Sequence, residues 1–277
     1  MNGVTSSLAM ARRIDSPSNP LVRALAALKN RREREHSGTF LVEGAREAAR
    51  AVAAGIEVIT ILHAPQLSDN GPEVARVLEH AAKHDLAVVE LSPAAFERVS
   101  LRQHPDGLAL QAKRPYRGLD SLGALTGGLV LVMDSVEKPG NVGALLRTAA
   151  AVGAVAVVVT GHGTDLENPN VVRASQGSVF AVPVAVAEAA ATIDRLSREE
   201  VRIVATTPAA TAPYWATDYR GSVAVVVGAE DIGLAPPWLA AADASVRIPM
   251  HAGATDSLNV SVAAAVVLFE AVRQRSS

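Results

Sequence analysis

The feature that most narrows the possible folds lies in the back part of the chain. LVLVMD, AVAVVVT, VRIVATT, SVAVVVG and SVRIPM recur between residues 128 and 250 as short β-branched runs, separated by alanine-rich stretches of helical character. A strand that is apolar at nearly every position has no side to show to water, so it belongs in a sheet covered on both faces. Strands that alternate with helices in this way pair in parallel. The back part is therefore expected to be an α/β domain built on a parallel sheet.

The front part alternates as well, less strongly. Asn19 to Arg34 reads as one helix, TFLVEG as a short strand and AREAARAVAAG as the next helix. VITILH, AVVEL and GLALQA read as strands, with the helix PEVARVLEHAAKH between the first two. KRPYRGLDSLGALTGG then breaks the pattern with Pro, Gly and charges. This divides the chain into a front domain over residues 1–113, a linker over 114–127 and a back domain over 128–277. A length of 277 residues and an apolar fraction of 49% can fill two such cores.

Several classes are disfavoured. No apolar run approaches the roughly 18 residues of a membrane span, and MNGVTSSLAMARR is not a secretory leader, so a cytoplasmic protein is expected. The chain has no cysteine, which removes disulfides, thiolate zinc sites and cysteine nucleophiles, and its seven histidines show no ligand spacing, so no metal is expected. The net charge of −2 is unevenly spread. Residues 1–117 hold 16 Lys+Arg against 13 Asp+Glu (+3), and residues 118–277 hold 10 against 15 (−5). The basic run LVRALAALKNRRERE is either a solvated helix face or a phosphate contact. Aromatics at 3% argue against a base-stacking platform.

Ligands of parallel sheets gather beyond the carboxyl ends of the strands, which directs attention to four loops. DSVEKPGNVGALLR ends a strand at Asp134, turns at Pro139-Gly140, offers Asn141 as a helix cap and places Arg147 about a turn and a half into that helix; it lacks the spacing of a phosphate loop or a dinucleotide fingerprint. TTPAATAPYW follows from Thr206. VVVGAEDIGLAP sets Gly228, Glu230 and Gly233 after a buried strand, where a plain tight turn would also use the glycines. IPMHAGATDSLNVS opens an otherwise apolar helix with Ser257, Asn259 and Ser261, where Asp256 or Ser257 could serve merely as a cap.

In this order, PGNVGALLRTA, VVGAEDIGL and IPMHAGATDSLNVSVAAAVVLFEAVRQR closely resemble the three motifs of the SpoU/TrmH family of SPOUT methyltransferases. Residues 19–110, with RREREHSGTFLVEGAREAARA, resemble that family's substrate-binding domain, a small α/β module related to ribosomal RNA-binding proteins. The resemblance implies a trefoil-knot domain that transfers a methyl group from S-adenosyl-L-methionine to a ribose 2′-hydroxyl of RNA, here large-subunit (23S) ribosomal RNA, and a homodimer. It implies that Asn141, Arg147, Glu230, Ser257 and Asn259 are catalytic, with Glu230 holding Arg147. It also implies that Thr206, Gly228, Ile248, Met250, Leu258 and Asn259 bind the cofactor. An arginine keeps its proton, so Arg147 is expected to grip phosphate and stabilise charge, and Glu230, a phosphate oxygen or water remain as proton acceptors. One departure is Asp231, where relatives often carry a further glycine. The rival readings are a transfer RNA 2′-O-methyltransferase of the same fold, a catalytically silent RNA-binding assembly factor and a nicotinamide-dependent dehydrogenase. The missing three-glycine fingerprint weighs against the last.

Overall fold

The computed structural model describes residues 12–163, 165–251 and 257–276. They fall into two compact units, one made of residues up to Pro115 together with Asp165–Phe180, the other of Tyr116–Thr164 and Ala181 onward.

Unit 1 runs β1 (Arg12–Ile14), α1 (Pro20–Ala27), α2 (Arg31–Ser37), β2 (Thr39–Glu43), α3 (Ala45–Ala53), β3 (Val58–His63), α4 (Pro72–His84), β4 (Ala87–Leu91), α5 (Pro93–Val99) and β5 (Leu108–Lys113). Its sheet order is β1-β4-β3-β5-β2, with β5 antiparallel to both β2 and β3 and the other pairs parallel. Phe40, Leu62, Leu91, Phe96 and Leu110 are fully buried.

The single helix expected over Asn19 to Arg34 is two helices. Asn19 caps α1 by accepting from the Leu21 N–H at 2.9 Å, and Asn30, in extended conformation, does the same for α2 from Arg32 at 3.0 Å. A short side-chain amide competes for backbone donors and so restarts the helix instead of continuing it. β1 and α5 were not anticipated. β1 has three residues, too few for a period to register.

Unit 2 contains β6 (Leu129–Asp134), α6 (Pro139–Ala151) and β7 (Ala156–Thr160). The chain then gives α7 (Pro169–Ala174) to unit 1. It resumes with β8 (Val184–Val186), α8 (Ala189–Arg198), β9 (Arg202–Thr206), β10 (Ala212–Pro213), β11 (Val223–Val227), α9 (Pro236–Ala241), β12 (Ala244–Arg247) and α10 (Val260–Arg275). The seven-stranded sheet has the order β10-β12-β9-β11-β6-β7-β8, and every pair is parallel, as the apolar runs predict.

Every residue of β6 and β11 is buried, and these two strands lie side by side near the middle of the sheet. Because all strands point the same way, the chain segments leaving β6, β9, β11 and β12 emerge at one edge. β12 stops at Arg247, short of the expected IPM, where Pro249 has no N–H to give a ladder. The trefoil knot that the resemblance implies around the last three strand-end loops involves residues 252–256, which lie outside the described residues.

Candidate active site

The loop after β6 begins at Asp134, a carboxylate only 2% exposed. It accepts from the Thr160 hydroxyl at 2.9 Å and from the Ala235 N–H at 3.0 Å, tying the ends of β6 and β7 to the loop after β11. Burying a carboxylate is tolerable only when its lone pairs are answered in this way. The loop after β11 is itself a tight hairpin. Ala229 and Gly233 exchange backbone hydrogen bonds, both 3.1 Å, and Gly233 has φ +70°. A Cβ on Gly228 would lie 2.3 Å from the Gly233 carbonyl carbon and oxygen, so only glycine fits there. The hairpin presents Glu230 at its start and leaves Ile232 76% exposed.

Three side chains from two distant stretches meet at Glu230. Asn141, which lies in the first turn of α6 and not at its cap, a position taken by Lys138, donates from Nδ2 to Oε1 at 2.6 Å. Asn259 donates from Nδ2 to the same oxygen at 2.9 Å and to Asn141 Oδ1 at 3.0 Å. Lys138 Nζ forms an ion pair with Oε2. Asn259 Oδ1 in turn accepts from the Ser261 N–H at 3.0 Å and the Ser261 hydroxyl at 2.6 Å, which makes Asn259 the cap of α10. The cap is therefore not Ser257; Asp256 lies outside the described residues. The lysine hydrogen bond, aided by that of Asn141, holds the Glu230 carboxyl below its ordinary value, and the same pairing raises Lys138.

Beside this cluster is a cavity of about 690 Å³, within the range of small-molecule sites. Thr206, Gly228, Ile248, Met250 and Leu258, all expected to hold a cofactor, line it, as do Glu230 and Ser257. Leu234, Leu239 and Val246 supply an apolar wall. The Thr206 hydroxyl donates to Val226 O at 2.8 Å, fixing the seam between β9 and β11 beneath the cavity. Apolar side chains together with the polar groups of Thr206, Glu230 and Ser257 suit a nucleoside.

Arg147 stands apart. It is exposed on α6, six residues beyond Asn141 and so about 9 Å farther along the helix axis. Among the described residues it has no hydrogen-bond or ion-pair partner. The expected bond from Glu230 to Arg147 is replaced by the one to Lys138, which sits at the helix start beside Asn141. Sequence reasoning missed Lys138 and the anchoring role of Asp134. The signals were present: a charged residue directly before the Pro-Gly turn, and an acid ending a wholly apolar strand. Among the described residues there is no group of three or more acidic or histidine side chains able to hold a metal, and no helix long and apolar enough to cross a membrane.

Comparison with known proteins places these features in a family. Residues 128–269 match the SpoU rRNA Methylase family, and residues 19–110 match the MRM3-like substrate binding domain. The 23S rRNA (uridine(2479)-2′-O)-methyltransferase of Streptomyces viridochromogenes is 32% identical, over 96% of this chain and 94% of its own. A crystal structure described as an RNA 2′-O ribose methyltransferase superposes with a TM-score of 0.82 at 43% identity, covering 96% of this chain and 100% of the other. The SpoU methyltransferase AviRb from Streptomyces viridochromogenes, solved with its cofactor AdoMet, gives a TM-score of 0.82 at 29% identity over 92% of this chain and 98% of its own. With the motif loops assembled at one sheet edge and the match running nearly end to end, the chain belongs to the SpoU rRNA methylase family.

Proposed function

We propose that the protein methylates the 2′-hydroxyl of a ribose in 23S ribosomal RNA, using S-adenosyl-L-methionine. The observation that carries this reading is the joining of Asn141, Glu230 and Asn259 by hydrogen bonds of 2.6 to 3.0 Å beside the cavity lined by Thr206, Gly228 and Met250. When bound, the cofactor supplies a methyl group already activated by its sulfonium. The protein's task is then to place the ribose oxygen in line with that methyl, and positioning of this kind can contribute up to roughly 7 to 11 kcal/mol.

Each expected residue has work to do in this scheme. Gly228, Ile248 and Leu258 offer backbone groups to the nucleoside, while the Met250 and Leu258 side chains enclose its base. Thr206 keeps the floor of the cavity rigid. Ser257 turns a polar group toward the reacting oxygen, and Asn259 holds Asn141 and Glu230 in place beside it. Arg147, exposed and unpartnered among the described residues, grips the phosphate next to the target ribose and stabilises negative charge developing on the oxygen. A guanidinium holds its proton at any physiological pH, so Arg147 does not accept the hydroxyl proton.

The front unit, with Arg23, Arg31 and Arg32 exposed on its basic run while Arg34 is buried, is the contact for RNA, in the cytoplasm where ribosomes are built. A second copy of the chain covers the outer face of α10, where Val262 and Phe269 are about half exposed at 49% and 51% and lie two turns apart. Mapping 2′-O-methyl groups in ribosomal RNA from cells with and without the protein tests the central claim: one site on 23S RNA should lose its methyl. Full methylation in its absence, or calorimetric binding of NAD and not of S-adenosylhomocysteine, overturns it. Sedimentation of the full chain tests the dimer.

A further inference from the structure

Glu230 has divided its two oxygens. Oε1 receives both asparagine amides, and among the described residues Oε2 receives only Lys138. The hydrogen-bond circuit allows one assignment of each amide. Asn259 Oδ1 must face the donors of Ser261, which turns its Nδ2 toward Glu230, and Asn141 accepts from Asn259 while donating to the same carboxylate. What such a circuit leaves loose is the carboxylate itself, because the last torsion of a glutamate is broad and nearly two-fold. A cation on Oε2 removes that freedom.

The place of Lys138 makes this contact more than a surface ion pair. It occupies the cap position of α6, where a side chain that accepts hydrogen bonds is favoured and a positive charge opposes the helix dipole. Its side chain makes no cap bond and reaches instead to a carboxylate 92 positions away, although it is 72% exposed. A residue that local structure disfavours, kept on the partner of two site asparagines, points to a task in the site.

We propose that Lys138 is a positioning residue of the methyl-transfer site, holding Glu230 so that its other oxygen orients Asn141 and Asn259, and that Glu230 is the anionic anchor of this cluster and not the acceptor of the ribose proton. The proposal rests on the methyltransferase reading above. A carboxylate that already accepts from three donors, with its protonation further disfavoured by the adjacent ammonium, is poorly suited to take up a proton. The proton of the hydroxyl then leaves to solvent or to a phosphate oxygen of the RNA.

The test uses the full chain, S-adenosylmethionine and 23S RNA lacking the modification. It compares wild type, Lys138→Met, Lys138→Arg, Glu230→Gln and the double variant Lys138→Met with Glu230→Gln. Lys138→Met should lower kcat by about tenfold, Lys138→Arg should restore most of it, and the loss should vanish in the Glu230→Gln background, where no charge is left to hold. S-adenosylhomocysteine affinity should stay within about twofold in Lys138→Met and Lys138→Arg, because the Lys138 side chain is outside the cavity lining. The side-chain amide resonances of Asn141 and Asn259 should shift together in Lys138→Met, a readout that needs no RNA. The proposal is overturned if Lys138→Met costs the same in both backgrounds with a weaker salt dependence of KM, the mark of a direct phosphate contact. It is equally overturned if Glu230→Gln alone loses about a hundredfold or more, as removal of a proton acceptor would cause, or if the amide resonances stay in place. An inactive wild type that binds S-adenosylhomocysteine would count against the methyltransferase reading alone, and the amide spectra would still decide the role of Lys138.

Discussion

Units 1 and 2 treat charge in opposite ways. In unit 1, Arg34 is 2% exposed and enclosed by Asp165 and by the carbonyls of Leu28 and Lys29 at 2.8 and 2.9 Å. Arg102 is likewise held by Glu47 at 3.2 Å, Asp106 at 3.1 Å and the Glu43 carbonyl at 3.1 Å. In unit 2 the polar cluster lies open at the sheet edge, anchored from below by one buried carboxylate, Asp134. Strand direction explains much of the contrast. With every pair parallel, one edge collects all the loops that leave the strands, whereas the antiparallel β5 of unit 1 sends strand ends both ways. Charges neutralised inside a unit hold it together; polar groups gathered at an edge and left accessible are available to a substrate.

Four measurements sharpen or break this comparison. The largest effect is expected for Arg34→Ala. Removing one partner of a buried pair leaves Asp165 uncompensated and should destabilise unit 1 by about 3 to 5 kcal/mol in denaturant titrations, while S-adenosylhomocysteine affinity stays nearly unchanged. An equal loss of affinity would show that the contrast between the units is false. Next is Arg147→Ala, expected to lower turnover by at least about a hundredfold with cofactor affinity retained; wild-type turnover would remove Arg147 from the mechanism.

Gly228→Ala comes third. Its new methyl meets the Gly233 backbone, and the strain of about 1 to 3 kcal/mol should appear as cofactor affinity weakened by roughly tenfold or more in calorimetry. The smallest effect concerns pH. The folded Glu230 carboxyl lies below its unfolded value, so its contribution is complete above the ordinary carboxylate range and is lost only as pH falls through the lowered one. Cofactor affinity should therefore be flat from about pH 7 to about pH 5, and a decline across that interval would contradict the pairing.

How much of this could be read in the sequence depended on the range of each interaction. β3, β4 and β6 occupy the segments their apolar patterns marked, because a buried strand writes its own signature. β8 and β10, of three and two residues, are too short to carry one. Asn30 looked like a polar position within a helix, and its role as a cap depends on a backbone torsion that composition does not reveal. At the site, the three motifs were legible because each has its own local pattern. The bond between Lys138 and Glu230 was not, since it joins residues from two loops and involves a lysine that resembles any solvated one. The tie between Arg34 and Asp165, 131 positions apart, was invisible for the same reason.

That tie has a consequence for synthesis. A ribosome that has released residues 1–115 has not yet made all of unit 1, because Asp165–Phe180 completes it. Until then the Arg34 guanidinium has no carboxylate to enter with, and β6, α6 and β7 emerge before the first unit can close. A fragment ending at residue 115 should consequently be a poor stand-in for unit 1, and one extended through residue 180 would carry strands that belong to the sheet of unit 2.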